Sequence, residues 1–274
     1  MFHNNNRKLD YFFLFLLCSI PVFYSILFAA WYKAQFTGVF HFFDDSQEWL
    51  GMDKGGHYIT AFVESWICIE WYKLIYPKET LKFNIQNSKF ILFGFAGFFL
   101  QLPIEFMDGY SQGYGFSFYD CIANLAGSLT ALVQFMVWGR ILIFPKVSFF
   151  PSEYAAIRPN LLGSNLIEQF IKDYNALTYW YSFSPNLLLG RKLFPSWLNI
   201  AIGYSADGLL GGHDNIWTDA NANIHDHSNI PRVCYFYLSL DINVLELPWK
   251  NKYLRWSLGI FNVVKIPIPV INYW

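Results

Sequence analysis

Charged residues are scarce in this chain, because Asp, Glu, Lys and Arg make up only 14% of its 274 residues. An ordinary soluble domain carries about 25%. The formal net charge is −1, so the composition offers no basic surface for nucleic acid. Disorder is excluded as well, since a disordered chain needs low hydrophobicity and high net charge, whereas 54% of these residues are hydrophobic and 21% are aromatic. We predict a membrane-associated protein that contacts lipid and does not bind nucleic acid.

Cysteine is also rare, and the four cysteines form no recognisable framework. Cys18, Cys68, Cys121 and Cys234 include no C-x-x-C pair and no metal-finger spacing. This pattern excludes a zinc finger and gives no sign of a disulfide scaffold. The serines near the Gly-rich turn at residues 107–117 have no nucleophile-elbow context, so a serine hydrolase is not predicted.

A single long charge-free run lies near the N-terminus. Tyr11–Tyr32 contains 22 residues without a charge, which at about 1.5 Å per residue is long enough for a hydrocarbon core of about 30 Å. Arg7 and Lys8 precede it and favour an N-terminus on the inner side of a membrane. We interpret residues 1–35 as a membrane anchor of the signal-anchor type, and we leave open whether residues 11–32 are retained or cleaved.

Three apolar helical stretches with polar ends follow the anchor. They are residues 53–76, 90–104 and 121–139. In the second stretch, Gly94 and Gly97 allow another helix to approach closely. The pattern predicts a helical bundle over residues 36–145.

The hydrophobic period changes from about 3.6 to about 2 in the second half of the chain, which predicts short β-strands. Asn165 followed by Glu168 indicates the start of one short helix within residues 162–175. The strand-like segments are 178–183, 197–204 and 232–244, and residues 213–229 form a polar stretch predicted to be an exposed loop. We therefore predict an α+β fold, with a mixed C-terminal part over residues 146–274.

Polar residues at helical spacing stand at the ends of the apolar stretches. The pairs are Asp53 with His57, Glu105 with Asp108, and Asp120 with Asn124. Residues three or four positions apart share one face of a helix, and an ionisable residue beside an apolar run suggests function because an isolated charge there is unfavourable. We expect His57, Glu105 and Asp120 to lie in one contact shell, with Asp108 and Asn124 behind them.

One interpretation of this group is structural. A buried polar network would fix the register of the helices and would include Asp53, Lys54 and Asn124. In the same interpretation, Asp53 and Asp120 act as helix N-caps that accept hydrogen bonds from free backbone N–H groups.

Two chemical interpretations remain beside the structural one. His57, Glu105, Asp108 and Asp120 are a plausible ligand set for a divalent metal, which is the one cofactor that the sequence suggests. Alternatively, His57 acts as a general base with Glu105 or Asp120 beside it.

These residues occur in motifs that resemble a known family. The motifs are DKGGH at 53–57, PIEFMDGYSQGYGFSFYD at 103–120 and ANLAG at 123–127. Together they resemble the YfiM-like family of predicted envelope proteins, which implies export to the envelope of Gram-negative bacteria and no established activity. Short members of that family are predicted lipoproteins, whereas here Leu17 precedes Cys18, where a lipobox needs a small residue. The same motifs are more weakly similar to VanZ-like membrane proteins.

Two functional classes follow from these observations. The first is a non-enzymatic subunit of an envelope assembly, with a structural polar network and a C-terminal part that binds protein partners. The second is a metal-dependent or general-base enzyme that acts on an envelope lipid or glycan. The sequence assembles no complete catalytic set, which favours the first class. For the location, we favour the outer membrane or its periplasmic face over the inner membrane.

Overall fold

The computed structural model describes residues 20–32, 36–76, 88–219, 221–266 and 270–273. The chain forms two compact units. The helical unit comprises Met1–Asp45 and His57–Arg140, and the strand-rich unit comprises Ser46–Gly56 and Ile141–Trp274. The predicted α+β class is confirmed, with helices in the N-terminal part and strands in the C-terminal part.

Only part of the predicted anchor falls within the described residues. Residues 20–27 form helix α1, which passes into a π-helical turn at Phe28–Tyr32, and residues 11–19 lie outside the description. Within the described ranges, Phe118–Trp138 is the one helix long and apolar enough to cross a membrane, and a second crossing requires two bent helices to count as one. Membrane association therefore stays a prediction.

The helical unit continues with α2 (Met52–Ile75), α3 (Ser88–Gly94), α4 (Ala96–Gly109) and α5 (Phe118–Trp138). The first turn of α2 belongs to the strand-rich unit, and the helix belongs to the helical unit from His57 onward. The apolar run predicted at 90–104 is divided, because α3 and α4 meet at a bend of 49°.

Two glycines let α4 and α5 approach α2 closely. A Cβ atom at Gly97 would lie 1.9 Å from the carbonyl oxygen of Ala61, and a Cβ atom at Gly127 would lie 2.1 Å from that of Tyr58. No side chain fits in these spaces, so backbone meets backbone at both positions.

Two serine side chains accept hydrogen bonds from the first N–H groups of α4, directly after the bend. The N–H of Gly97 donates to Ser65 Oγ at 2.9 Å, and the N–H of Phe98 donates to Ser128 Oγ at 2.7 Å. The first N–H groups of a helix have no partner inside that helix. Because Ser65 belongs to α2 and Ser128 to α5, the neighbouring helices supply the acceptors that the bend makes necessary.

The strand-rich unit is built on a five-stranded antiparallel sheet with the order β1-β2-β3-β6-β7. Its strands are β1 (Ile143–Phe149), β2 (Leu177–Phe183), β3 (Leu198–Asp207), β6 (Val233–Ile242) and β7 (Val270–Tyr273). Strands β4 (Ile216–Thr218) and β5 (Ile224–Asp226) form a separate hairpin. The helices of this unit are α6 (Tyr154–Ile157), α7 (Pro159–Leu162), α8 (Leu166–Lys172), α9 (Pro185–Leu189) and α10 (Lys252–Gly259).

The predicted strands at 178–183, 197–204 and 232–244 are confirmed as β2, β3 and β6, with small shifts in their ends. Helix α8 is confirmed together with its cap, since Asn165 Oδ1 accepts hydrogen bonds from the N–H groups of Ile167 and Glu168, both at 3.1 Å.

Two features of the strand-rich unit differ from the prediction. Strand β1 was not predicted, and its Pro145 is tolerated because the strand lies at the edge of its sheet. The stretch 213–229 is not simply an exposed loop: it contains the β4–β5 hairpin, and Asn215 is only 3% exposed. Asn215 accepts a hydrogen bond from Leu210 N and donates one to Gly208 O.

A left-handed turn leads into α2 and packs on the core of the strand-rich unit. Trp49 and Leu50 have positive φ angles of 52° and 51°, which non-glycine residues adopt rarely. The turn is held by hydrogen bonds from Trp49 N to Gly212 O at 2.8 Å and from the Tyr204 hydroxyl to Leu50 O at 2.5 Å. Both side chains pack against the buried cluster of Met52, Leu177, Ala206 and Leu209.

Candidate functional site

His57 lies between two carboxylates that come from two other helices of the helical unit. Its Nδ1 atom is 3.4 Å from Glu105 Oε1 on α4, and its Nε2 atom is 3.8 Å from Asp120 Oδ2 on α5. The Glu105 side chain is fully buried, the Asp120 side chain is 8% exposed and the His57 side chain is 16% exposed. The structure thus brings together three residues that lie far apart in the chain.

Asn124 adds an amide to this group. It is 1% exposed, and its Nδ2 atom donates to Glu105 Oε1 at 3.4 Å. We call His57, Glu105, Asp120 and Asn124 the His57 cluster. Its geometry depends on the close approach of α2, α4 and α5 at Gly97 and Gly127, and each helix contributes at least one member.

Ser117 positions Asp120 in the first turn of α5. The Ser117 side chain accepts a hydrogen bond from Asp120 N at 3.0 Å and donates one to Asp45 Oδ1 at 2.5 Å. Ser117 is therefore the N-cap, and the interpretation of Asp120 as an N-cap was wrong. Sequence reasoning missed Ser117 and Asp45, although Ser117 three positions before an acidic residue is a recognisable capping pattern.

Asp108 lies beside a different residue of the same unit. The Tyr32 hydroxyl donates a hydrogen bond to Asp108, and burial, followed by the Asp108 charge, raises the pKa of Tyr32. The structure therefore places Asp108 at Tyr32, which sequence reasoning did not identify.

Asp53 is bonded to two residues of the strand-rich unit. The Tyr174 hydroxyl donates to Asp53 Oδ1 at 2.5 Å, and the Lys54 ammonium donates to Asp53 Oδ2 at 2.8 Å. Asp53 is the second residue of α2, so its interpretation as an N-cap was also wrong. It lies one helical turn before His57 on the same helix.

The chemistry of the His57 cluster is set by its two acidic neighbours. A neutral imidazole presents one N–H donor and one lone pair, whereas a protonated ring presents two donors. With a carboxylate near each nitrogen, the arrangement suits an imidazolium ion or a cation bound at one nitrogen. An imidazole nitrogen and carboxylate oxygens are also accepted ligands of divalent metals.

A cysteine neighbours the cluster and does not supply a nucleophile. Burial, followed by the charges of Glu105 and Asp120, raises the pKa of the Cys121 thiol to about 11. The reactive form of cysteine is the thiolate, so Cys121 is held in its unreactive form. Cys68, Cys121 and Cys234 are all free thiols.

The residues around Ser111 match the sequence of a nucleophile elbow but do not have its structure. Residues 109–113 read G-Y-S-Q-G, the pattern of a nucleophile elbow, which requires a strand before the serine and a helix after it. Here α4 precedes Ser111, and Ser111 is fully buried. The letters of the motif are therefore present at Ser111, but the strand that a nucleophile elbow requires does not precede it.

The histidines of the β4–β5 region make local contacts. The His225 and His227 rings both stack on Trp217, at centroid distances of 5.0 and 5.3 Å. His225 Nε2 also lies 3.1 Å from Asp219 Oδ2, and this hydrogen bond lowers the pKa of Asp219. Each of the two rings thus has a partner within the β4–β5 region.

A concave site of about 420 Å³ opens on the strand-rich unit. Among its lining residues, the Tyr154 hydroxyl donates to Asp207 Oδ2 at 3.2 Å, and the hydroxyls of Ser205 and Tyr237 lie 3.1 Å apart. Burial, followed by the Asp207 charge, raises the pKa of Tyr154. Its lining residues include Glu153 and Asp207 and no lysine or arginine, so the site disfavours an anionic ligand.

Comparison with known proteins agrees with a bacterial envelope setting. Residues 41–136 match the family described as predicted periplasmic lipoprotein (DUF2279). The matched segment is about a third of the chain and contains the whole His57 cluster. No curated protein and no solved structure matches the chain. The resemblances to YfiM-like and VanZ-like proteins stay predictions.

Proposed function

We propose that the protein is a non-enzymatic component of the bacterial cell envelope, in which the His57 cluster ties three helices of the helical unit together. The match of residues 41–136 to a predicted periplasmic lipoprotein family supports the envelope setting. We place the protein at the outer membrane or its periplasmic face, in contact with lipid and with protein partners of an envelope assembly.

The exposed face of α5 supports the contact with lipid. Large apolar side chains recur along it at intervals of three or four residues, as expected for one helix face. They are Phe118, Ile122, Leu125, Leu129, Val133 and Val137, each at least 36% exposed. A contiguous apolar face of this kind marks a membrane or protein interaction site.

The observation that carries the structural role is that both ring nitrogens of His57 face carboxylates from different helices. A lone pair directed at a carboxylate is electrostatically unfavourable, so a positive charge belongs at this ring. Whether that charge is a proton or a metal ion, it joins α2, α4 and α5 in one ionic unit. Removal of the ring would leave the buried Glu105 without its compensating charge, which destabilises a protein by about 3 kcal/mol or more.

The spacing favours a divalent cation between His57 Nε2 and Asp120 Oδ2. Charge-assisted N–H···O bonds measure about 2.7–2.9 Å, and this separation is 3.8 Å. An ion bound at about 2.0–2.2 Å from each ligand atom holds the two ligands about 3–4 Å apart. In this arrangement Glu105, beside Nδ1, orients the ring as an outer partner.

Thermal unfolding of the purified full chain, with and without a chelator and with metal analysis, tests this proposal. We expect His57→Ala to lower the unfolding temperature, and chelation to lower that of the wild type but not of the variant. The matched control is His213→Ala, since His213 pairs with Glu48 at an exposed position and its loss should have little effect.

Three results decide whether the His57 cluster has a structural role and whether it holds a proton or a metal ion. Destabilisation by His57→Ala without any effect of the chelator supports the structural role with a proton at the ring. A variant as stable as the wild type would contradict the structural role. Bound metal that is unchanged in His57→Ala would contradict the cation site.

A general-base enzyme acting on an envelope lipid or glycan is the second candidate. It is favoured by the accessibility of His57, which is 16% exposed beside a fully buried Glu105, because a general base must reach its substrate while a buried acid orients it. A His57→Gln protein that stays fully stable but fails to restore function in a deletion strain would favour this candidate.

A further inference from the structure

One surface of the strand-rich unit combines exposed leucines with two cations. Between β2 and β3 the chain reads PNLLLGRKLFPS, which we call the tip loop (residues 185–196). Its large apolar side chains are Leu187, Leu188, Leu189, Leu193 and Phe194, with exposures from 37% to 68%. Arg191 and Lys192 are exposed among them, and the tip loop contains no acidic residue. Grouped apolar side chains on a surface indicate an interaction site.

Asn186 holds the tip loop in one shape. Its Nδ2 atom donates to Phe194 O at 2.8 Å, and its Oδ1 atom accepts from Leu193 N and Phe194 N, both at 2.9 Å. A single side chain thus joins the two ends of the loop through three hydrogen bonds. These hydrogen bonds fix the conformation of the tip loop, and in this conformation its leucines are exposed.

The sheet beside the tip loop also presents an apolar face. Phe183, Ile200 and Leu240 lie opposite one another across β2, β3 and β6, and Tyr181, Ile202 and Leu238 form the next row. On this face, Tyr181, Ile202, Phe236, Leu238 and Leu240 are between 38% and 54% exposed. Phe183 is the last residue of β2, and the tip loop begins two residues later, so the loop starts at the end of the sheet where this apolar row lies.

The opposite face of the same sheet is buried, and it carries charged and polar side chains beside apolar ones such as Phe144 and Trp180. Lys146 and Asp241 form an ion pair there with both side chains fully buried, and the Ser182 hydroxyl donates to Asp241 at 2.5 Å. Antiparallel sheets in water commonly bury their apolar face and expose their polar face. In this sheet one end of the apolar face packs on the buried cluster of Met52, Leu177, Ala206 and Leu209, whereas the end beside the tip loop is exposed, as expected if that end lies in apolar surroundings.

We propose that the tip loop and the adjoining apolar face of the sheet lie against an anionic lipid bilayer. The leucines and Phe194 would enter the boundary between headgroups and acyl chains, while Arg191 and Lys192 would extend to the phosphate groups. Lysine is depleted in the core of protein–protein interfaces, although arginine is enriched there, so Lys192 set beside leucines fits lipid headgroups better than a protein partner. This inference is independent of the His57 cluster.

Vesicle flotation with the full chain tests the proposal. The vesicles contain phosphatidylcholine alone or phosphatidylcholine with phosphatidylglycerol. We expect Leu188→Ser combined with Leu193→Ser to weaken binding to the anionic vesicles about tenfold or more, because two buried leucines are lost. We expect Arg191→Gln combined with Lys192→Gln to weaken binding to the anionic vesicles only, and to reduce its dependence on salt.

The matched control changes two exposed aliphatic residues at the other end of β2. Helix α8 lies before β2 and the tip loop follows it, so Ile167→Ser combined with Ile171→Ser removes similar side chains, 76% and 52% exposed, away from the proposed surface. We expect this control to bind like the wild type. All of these positions are exposed, so unchanged thermal unfolding should show that each variant is folded.

Several results would overturn the proposal. One is a leucine variant that binds vesicles like the wild type, and another is an equal loss of binding in the α8 control. A third is a leucine variant with unchanged vesicle binding but a lost concentration-dependent dimer, which would assign the surface to a second copy of the chain. None of these results bears on the thermal test of His57.

Discussion

The Nζ atom of Lys146 lies 2.6 Å from Asp241 Oδ2, and neither side chain is exposed. Lys146 belongs to β1 and Asp241 to β6, which are separated in the sheet by β2 and β3. The Lys146 ammonium also donates to Ile242 O at 2.9 Å. Burial lowers the pKa of Lys146, and the Asp241 carboxylate opposes that shift. The ion pair therefore spans the buried face of the sheet.

We expect Lys146→Met to lower the free energy of unfolding by about 3 kcal/mol, because it removes the cation in direct contact with the buried Asp241 carboxylate and leaves only the more distant Lys265. Combining Lys146→Met with Asp241→Leu should restore part of the loss, since apolar side chains then replace the buried pair and only the buried Lys265 keeps a charge beside it. Denaturant unfolding of the two single variants and the double variant measures the coupling. The exposed Lys250 provides the control Lys250→Met, and an equally small effect at both lysines would contradict the prediction.

The fold was predictable where a local pattern decides the structure. Helices α2 and α5 follow from apolar runs at helical spacing, and β3 and β6 follow from alternation. Strand β1 was not predictable in the same way, because Pro145 is acceptable only at a sheet edge and the edge position depends on the whole topology. The pairing of Lys146 with Asp241 leaves no signal in the sequence, since it results from the order of four strands.

The candidate site was also predictable from the sequence only in part. His57, Glu105 and Asp120 stand at the ends of apolar helices, and the unfavourable free energy of isolated buried charges predicts that they meet. Asp108 was expected behind them, and the structure adds a partner that was not expected, because Asp108 accepts a hydrogen bond from Tyr32. That partner belongs to the segment before α2, and no local pattern relates the two residues.

Replacing the glycines between the helices by alanine tests the close approach of the helices, because an obstructed site and an unobstructed site change the free energy of unfolding in opposite directions. In an unobstructed helix, Gly→Ala stabilises by about 1 kcal/mol. At Gly127 a Cβ atom would collide with Tyr58 O, so we expect Gly127→Ala to destabilise the protein by about 1–3 kcal/mol. The same reasoning applies to Gly97→Ala. Thermal or denaturant unfolding measures both effects.

Exchanging two neighbouring residues controls for helix propensity. Ala126→Gly combined with Gly127→Ala keeps the composition of α5 and moves its glycine by one position. If only propensity mattered, the exchanged protein would be as stable as the wild type. We expect a clear loss of stability, and its absence would show that the close approach at Tyr58 is not required.

Glu64 predicts a specific pH dependence. Burial raises its pKa to about 7, and the hydrogen bond from Gln101 works in the opposite direction. The unfolded chain has the ordinary pKa of about 4.5. The contribution of Glu64 to stability is therefore fully present below pH 4.5 and is lost as the pH rises to about 7, because the folded protein holds the proton more tightly over this range.

We expect Glu64→Gln to remove this part of the pH dependence. Relative to the wild type, the variant should gain up to about 3 kcal/mol at pH 8, where the wild type must keep a buried carboxylate charged. Urea unfolding at several pH values measures the difference. Glu70→Gln, which affects only a partly exposed pair with Lys73, is the matched control. A parallel pH profile for Glu64→Gln and the wild type would be inconsistent with this assignment.

Ser117 links the stability of α5 to the geometry of the His57 cluster. Its side chain caps the helix at Asp120 N and donates to the buried Asp45. We expect Ser117→Ala to lower the free energy of unfolding by about 1–2 kcal/mol, because a helix N-cap and a buried hydrogen bond are lost together.

Since the cap fixes the turn that carries Asp120, the variant should also bind a divalent cation more weakly than the wild type. Ser117→Thr retains the hydroxyl and should recover both properties. Calorimetric titration of the two variants, beside their unfolding curves, separates the roles: a destabilised Ser117→Ala with unchanged cation affinity would mean that the cap holds the helix without positioning Asp120.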